Sequence, residues 1–205
     1  MEKVIIHDCT LYRGNCLEML ETVSPGSIDC AWSDPPYGIG YLGNHRKVME
    51  KQEMLLGDDR PRVECVPLIV RAVKDGGAVY LCTRFDVAHP WVAALTEVGA
   101  TMKTPIYWIK DNLSLGDLAG DRGAAVEIVL FAHKGRHLLR GKRVINAWNI
   151  PRADAVPHNE ANRADAPVHF GEQRPRRPDS RPVSGERKHC RRLCVDRATL
   201  HRGGN

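Results

Sequence analysis

The chain has 205 residues, 42% of them apolar, and a formal net charge of +5, which suits a single domain with its own core and argues against a wholly disordered polymer. No apolar run approaches the roughly 20 residues that span a bilayer, and Met1 to Thr10 lacks the basic start and apolar stretch of a secretion signal; a cytoplasmic protein with no membrane partner is expected. Seven cysteines, an odd number, point to free thiols rather than a disulfide framework.

Val4-Ile5-Ile6 and Leu11-Tyr12 read as short strands, with Gly14-Asn15 ending the second. Leu17, Leu20 and Val23 then recur at helical spacing. Ser27 to Ser33 forms an apolar run typical of a buried strand, and it must stop at Asp34 because neither Pro35 nor Pro36 can donate a ladder hydrogen bond. Proline also holds the residue before it extended, so Asp34 and Pro35 should be stiff, with Tyr37 and Gly38 just beyond. A fixed carboxylate beside a flat ring suits a nucleobase. The carboxylate or a carbonyl accepts from an exocyclic amine and raises its reactivity, while the ring stacks on the base, worth about 1–3 kcal/mol. Reaching such a base in a duplex requires flipping it out. The plain alternative is a strand-ending turn with a half-buried tyrosine.

Val66, Ile69, Val70 and Val73 line one face of a helix that Gly76-Gly77 should end, and Ala78 to Cys82 reads as a buried strand. Trp91 to Val98 is a helix closed by Gly99, and Thr104 to Ile109 and Val126 to Ala132 are further strands. Trp32, Trp91 and Trp108 are expected in the core. The alternation implies an α/β fold, a mainly parallel sheet with helices on both faces, whose ligands bind beyond the carboxyl ends of the strands. Asp34 is at such an end.

The charge is uneven. Residues 151–205 carry 12 Lys/Arg against 7 Asp/Glu, the whole of the +5, whereas residues 1–150 balance at 18 against 18. The same stretch holds six of the thirteen prolines and three residues drawn from Leu, Ile, Met, Phe, Trp and Tyr. A division follows: residues 1–150 as the folded domain, residues 151–205 as a basic Pro/Arg-rich tail, expected to lack a packed fold from about Ala153 onward. A nonspecific phosphate-binding arm is its functional alternative. Cys190 and Cys194 beside His189 are too few to specify zinc, and no metal is expected.

In order along residues 4–151, Gly14-Asn15-Cys16-Leu17-Glu18, Asp34-Pro35-Pro36-Tyr37-Gly38-Ile39-Gly40-Tyr41, Gly57-Asp58-Asp59, Lys74-Asp75-Gly76-Gly77, Trp108-Ile109-Lys110-Asp111-Asn112 and Phe131-Ala132-His133-Lys134-Gly135 resemble segments of the bacterial and phage DNA amino-methyltransferases whose catalytic motif precedes the cofactor motif. The resemblance implies a Rossmann-type methyltransferase fold and methyl transfer from S-adenosylmethionine to an exocyclic amine in DNA. Adenine N6 is the implied target, from the Asp-Pro-Pro-Tyr form. It gives Asp34, Pro35, Pro36 and Tyr37 catalytic positions, with Asp34 and the Pro35 carbonyl accepting from the amine and Tyr37 stacking on the base. Gly14, Asn15 and Asp34 fall at cofactor-binding positions; Asn15 stands where the family usually has an aspartate, so that contact accepts a hydrogen bond but brings no charge.

The family's chain continues after this point with a strand and a glycine-rich loop that the tail lacks, Gly203-Gly204 having no strand before it. A truncated or frameshifted member is therefore expected, binding S-adenosylmethionine poorly and methylating weakly or not at all until the frame is restored. Arg46, Lys47, Lys134, Arg136, Arg140 and Lys142 are candidate DNA contacts, as are Lys51, Arg60, Arg62 and the Gly/Asp-rich Asn112 to Ala125 loop, with solvated loops as the ordinary alternative. A DNA-binding protein without catalysis, and a nonfunctional remnant of a mobile element, stand as the other readings.

Overall fold

The structure is a computed structural model, and it describes residues 1–40, 57–111, 119–120, 122–139 and 143–150 together with the backbone of residues 192–196. Arg46, Lys47, Lys51, Arg140, Lys142 and most of the Asn112 to Ala125 loop lie outside the described residues, as do the side chains of Cys190 and Cys194.

The chain opens with an antiparallel hairpin, β1 (Glu2–Ile6) and β2 (Cys9–Arg13). Helix α1 (Cys16–Thr22) follows, then β3 (Ile28–Asp34), a 3-10 turn over Val63–Cys65, α2 (Val66–Ala72) and β4 (Val73–Thr83). After α3 (Ala88–Glu97) come β5 (Thr101–Met102), β6 (Ile106–Ile109), β7 (Val126–His133) and β8 (Ala147–Asn149). The last strand is β9 (Arg192–Asp196).

The strands after the hairpin form one sheet in the order β8-β6-β7-β4-β3-β9, with β5 on β7. β3 runs parallel to both β4 and β9, and β6 to β8, while β7 is antiparallel to β4, β5 and β6. The α/β class holds, and the reversed β7 makes the sheet mixed.

Alternation along the strands sorts two faces. Ala31, Val79, Leu81, Leu130 and Ala132 form one core with Met19 and Leu20 of α1, Val66, Ile69 and Val70 of α2, and Trp91 and Leu95 of α3. All three described helices therefore lie on the same face. Leu20, Ile69, Leu81, Trp91 and Leu95 are at most 1% exposed, and burying each such side chain contributes about 1.5–3 kcal/mol. The other face carries Cys82, Ile106, Val129 and Tyr37, with Trp32, Tyr80, Phe131 and Trp148 packed against them. Trp32 stacks on Tyr80 and Trp148, and Tyr80 on Phe131, at centroid separations of 5.7, 6.4 and 4.8 Å. Trp91 is wholly buried, as the sequence implied, and Trp108 is half-buried on β6 between β7 and β8, its indole N–H donating to Ile150 O at 2.8 Å.

Two departures from the sequence reading concern boundaries. Gly76-Gly77 does not end a helix: α2 stops at Ala72 and β4 runs straight through both glycines. Gly76 bends the strand at φ +76°, and a Cβ on Gly77 would lie 2.5 Å from Val73 Cγ1 and 2.9 Å from Asp29 O, so the pair serves close approach rather than termination. The second departure is β9. It falls in the stretch expected to lack a packed fold, and it corrects the statement that no strand precedes Gly203-Gly204, because residues 192–196 add a parallel strand beside β3.

Candidate active site

β3 ends where its sequence requires. Asp34 is its last residue, Pro35 and Pro36 are buried, and the chain leaves the sheet through Tyr37, Gly38 and Ile39. β4, β3 and β9 are parallel, and Asp34 is the register partner of Asp196 while Ser33 pairs with Leu81. Three parallel strands thus bring their carboxyl ends to one edge, with Asp34 on the central one. This is the ligand-binding end of an open α/β sheet.

The loop beyond Asp34 is held by contacts from a distant segment. Gly38 sits at φ +75°, and a Cβ there would lie 2.2 Å from Pro61 N and 2.3 Å from Arg60 C. Only glycine fits this crossing of two backbones. Asp58, 1% exposed, accepts from Gly38 N at 2.7 Å and Ile39 N at 3.4 Å through Oδ1, and its carbonyl accepts from Gly40 N at 2.7 Å. The sequence marks Gly57-Asp58-Asp59 as a motif but gives Asp58 no role. Its signal is weak, a carboxylate between a glycine and a second carboxylate, because the partner amides are backbone groups that no spacing rule reveals.

Tyr37 is not an open plate. It is 6% exposed and packed with Cys82, Ile106 and Val129, so stacking on a base requires its cover to move. Ser33, the residue before Asp34, is 1% exposed, and its hydroxyl has no hydrogen-bond partner among the described residues.

Gly14 and Asn15 lie at the start of α1. Asn15 caps the helix, its side chain accepting from Leu17 N at 3.0 Å and donating to Glu18 Oε1 at 3.3 Å. Its amide is spent locally. Cys16 next to it is buried near Glu64 and Cys65: burial raises both thiols, the Cys65 thiol to about 12, and the charge of Glu64 adds to the effect. Burial works against the Glu64 carboxylate too, but its own backbone N–H, the hydrogen bond from Arg60 and the charges of Arg60 and Arg62 keep it below the usual range. Gly14 to Cys16 therefore neighbours the segment whose Arg60-Pro61 backbone crosses Gly38.

The proposed basic contacts divide differently. Lys134 donates to the carbonyls of Val70, Arg71 and Val73 at 3.0, 3.4 and 2.7 Å, capping the end of α2 with all three of its N–H bonds. Its ammonium is thus engaged within the fold, at the end of α2. Arg136 is exposed but stands at the wrong end: His133 pairs with Ala78 while Asp34 lies level with Cys82, a separation of roughly 13 Å along the strand. Arg60 forks onto Glu64 at 2.9 and 3.1 Å, and Arg62 donates to Asp59 at 2.6 Å and to Gly57 O at 3.2 Å. Among the described residues, no cluster of metal-ligating side chains occurs.

No protein-family model matches the chain. Its fold is similar to that of PvuII DNA methyltransferase (cytosine-N4-specific), at 16% identity over 74% of this chain and 60% of that one, with a TM-score of 0.52. Two further solved structures fall just below that score. They are the M1.HpyAVI-SAM complex, at 14% identity over 72% and 68% with a TM-score of 0.49, and TTHA0409 from Thermus thermophilus, at 16% over 75% and 73% with a TM-score of 0.48. The likeness to the PvuII enzyme, at a TM-score of 0.52, shows a methyltransferase-like α/β fold.

Proposed function

We propose that this chain transfers a methyl group from S-adenosylmethionine to the exocyclic N6 amine of adenine in DNA. One observation carries the reading: Asp34 ends the middle strand of three parallel neighbours, the ligand-binding edge of the sheet, and Asp-Pro-Pro-Tyr follows from there in a fold similar to that of a DNA methyltransferase.

The residues at this edge fit the cofactor through charge. A sulfonium cation would be matched by the Asp34 carboxylate, whereas Gly14 faces Met1, whose Cα lies 3.3 Å from where its Cβ would be, and Asn15, already engaged as a helix cap, adds little. When bound, the cofactor supplies an electrophilic methyl. The protein's work is on the amine. Asp34 accepts one N–H and the Pro35 carbonyl the other, which draws the nitrogen lone pair out of conjugation with the ring and aims it. As the N–C bond formed and the methyl's bond to sulfur broke, leaving a neutral thioether, the nitrogen would acquire positive charge and its proton would pass to the Asp34 carboxylate. Pro35 and Pro36, both buried, keep carboxylate and carbonyl in one geometry, and such positioning is a large part of catalysis in a two-substrate transfer. Tyr37 moves out of its packed position to stack on the flipped base.

A second reading, N4 of cytosine, is favoured by the specificity in the name of PvuII methyltransferase. Tritium transfer from labelled cofactor to duplexes that offer adenine or cytosine as the methylatable base separates the two. Weak incorporation into the adenine duplex, lost in Asp34→Ala and raised when the frame of residues 151–205 is restored, is expected. DNA binding by the wild-type chain with no incorporation into either duplex would leave a DNA-binding protein without catalysis.

A further inference from the structure

We infer that Asp58 is the positioning residue of the Asp34-Tyr37 loop, a buried carboxylate that clasps the loop's backbone rather than touching substrate. The role as an aid to methyl transfer rests on the proposed function; the clasp itself does not.

The loop has to solve a backbone problem. Pro35 and Pro36 have no N–H, so the first donors after the strand are Tyr37, Gly38, Ile39 and Gly40, at a place where Gly38 and Gly40 turn at φ +75° and +57°. A turn built on positive φ has no ladder to hold it. Asp58 supplies what is missing: its Oδ1 takes Gly38 N at 2.7 Å and Ile39 N at 3.4 Å, and its own carbonyl takes Gly40 N at 2.7 Å. Three consecutive amides thus converge on one residue. Hydrogen bonds to a charged acceptor are the stronger kind, and at 1% exposure water does not compete for this one.

Asp58 is itself fixed. Gly57 before it adopts φ +83° and its carbonyl accepts from Arg62 Nε at 3.2 Å; Arg62 also holds Asp59 at 2.6 Å. Two residues on, Arg60 and Pro61 press against the Cα of Gly38. The chain therefore departs after Gly40 and returns at Gly57 through one clasp, so a displacement at either end reaches Asp34 through only the rigid Pro35-Pro36 pair. That stiffness makes the geometry of the Asp34 carboxylate and Pro35 carbonyl depend on Asp58.

The test combines amide hydrogen exchange with methyl-transfer kinetics on adenine duplex DNA in the full chain. Asp58→Ala is expected to speed exchange at Gly38, Ile39 and Gly40 by roughly tenfold or more. It should lower kcat roughly a hundredfold with KM for the duplex changed less than about twofold. Asp58→Asn, whose amide oxygen accepts from the same two N–H groups, should restore most of both. Leu95→Ala, a core truncation remote from the loop, should lower the melting temperature while leaving exchange at Gly38 and Ile39 and kcat in place. If Asp58→Ala does not fold, Asp58→Ser takes its place, its short hydroxyl giving values between wild type and no clasp. Unchanged exchange at Gly38 and Ile39 in Asp58→Ala, or an equal loss of kcat in Leu95→Ala, overturns the assignment. Should the wild-type chain transfer no methyl, the methylation reading fails, and exchange at these amides alone decides the clasp.

Discussion

Gly38 concentrates the site's dependence on a single residue. Any side chain there meets the Arg60-Pro61 backbone at 2.2–2.3 Å, and the φ of +75° is strained for every residue but glycine. Gly38→Ala is expected to cost about 1–3 kcal/mol and to lower transfer more than its loss of stability explains; a melting curve paired with turnover measures both. The charge of His133 gives a second residue-scale expectation. Burial, then the neighbouring His137 and Lys103, hold its pKa below the ordinary 6.5. The unfolded chain thus binds this proton more readily than the folded one. The contribution of His133 to stability is complete above pH 6.5 and is lost as pH falls from there toward the lowered folded value. Urea titrations across mildly acidic pH should show that decline, and His133→Gln, which cannot ionise, should flatten it. Lys134 makes the opposite lesson: the sequence offers a basic run, Lys134 to Lys142, and no pattern in it distinguishes a cation that caps a helix from one that meets phosphate.

Elements are legible where their apolar period is unbroken. β3, the core of β4, α3 and β7 stand where the alternation or the helical spacing puts them, and the Pro-Pro stop alone is enough to place Asp34 at a strand end. What fails is punctuation by glycine. Gly76-Gly77 carries a turn signature, and only the crowding of Val73 and Asp29 around it shows that the glycines admit a bend within a strand. β9 escapes for the opposite reason. Leu193-Cys194-Val195 is a three-residue apolar run between Arg192 and Asp196, too short to stand out as a strand in a tail rich in Arg and Pro. Since β9 covers the outer edge of β3 from Cys30 to Asp34, it protects the strand that carries the site. Replacing Leu193, Cys194 and Val195 by Gly-Pro-Gly is expected to remove exchange protection from the β3 amides that face β9. Those facing β4 should stay protected. Equal protection in the wild type and the variant would show that β9 does not hold that edge.

At the scale of the whole molecule, charge and site lie apart. Residues 1–150 balance at 18 basic against 18 acidic side chains, and the net +5 belongs to residues 151–205. Within the described part, several cations that the sequence offers to DNA are engaged at home: Lys134 on α2, Arg60 on Glu64, Arg62 on Asp59. Arg136 stands at the far end of the sheet from Asp34. Arg46, Lys47, Lys51, Arg140 and Lys142 lie outside the described residues, and we propose that affinity that does not depend on sequence comes largely from the Arg-rich segment around Arg174, Arg176 and Arg177. The salt dependence of binding tests this directly, because each phosphate contact contributes roughly −0.9 to the slope of log affinity against log salt. Changing Arg174, Arg176 and Arg177 together to Ala should make that slope shallower by up to roughly 2.7 and weaken binding to all duplexes alike. Arg136→Ala should leave it unchanged. A slope that responds to Arg136 and not to the three arginines would place the phosphate-binding surface at the β7 end of the sheet, and Asp34 could then not act on the same stretch of DNA without a second contact surface near it.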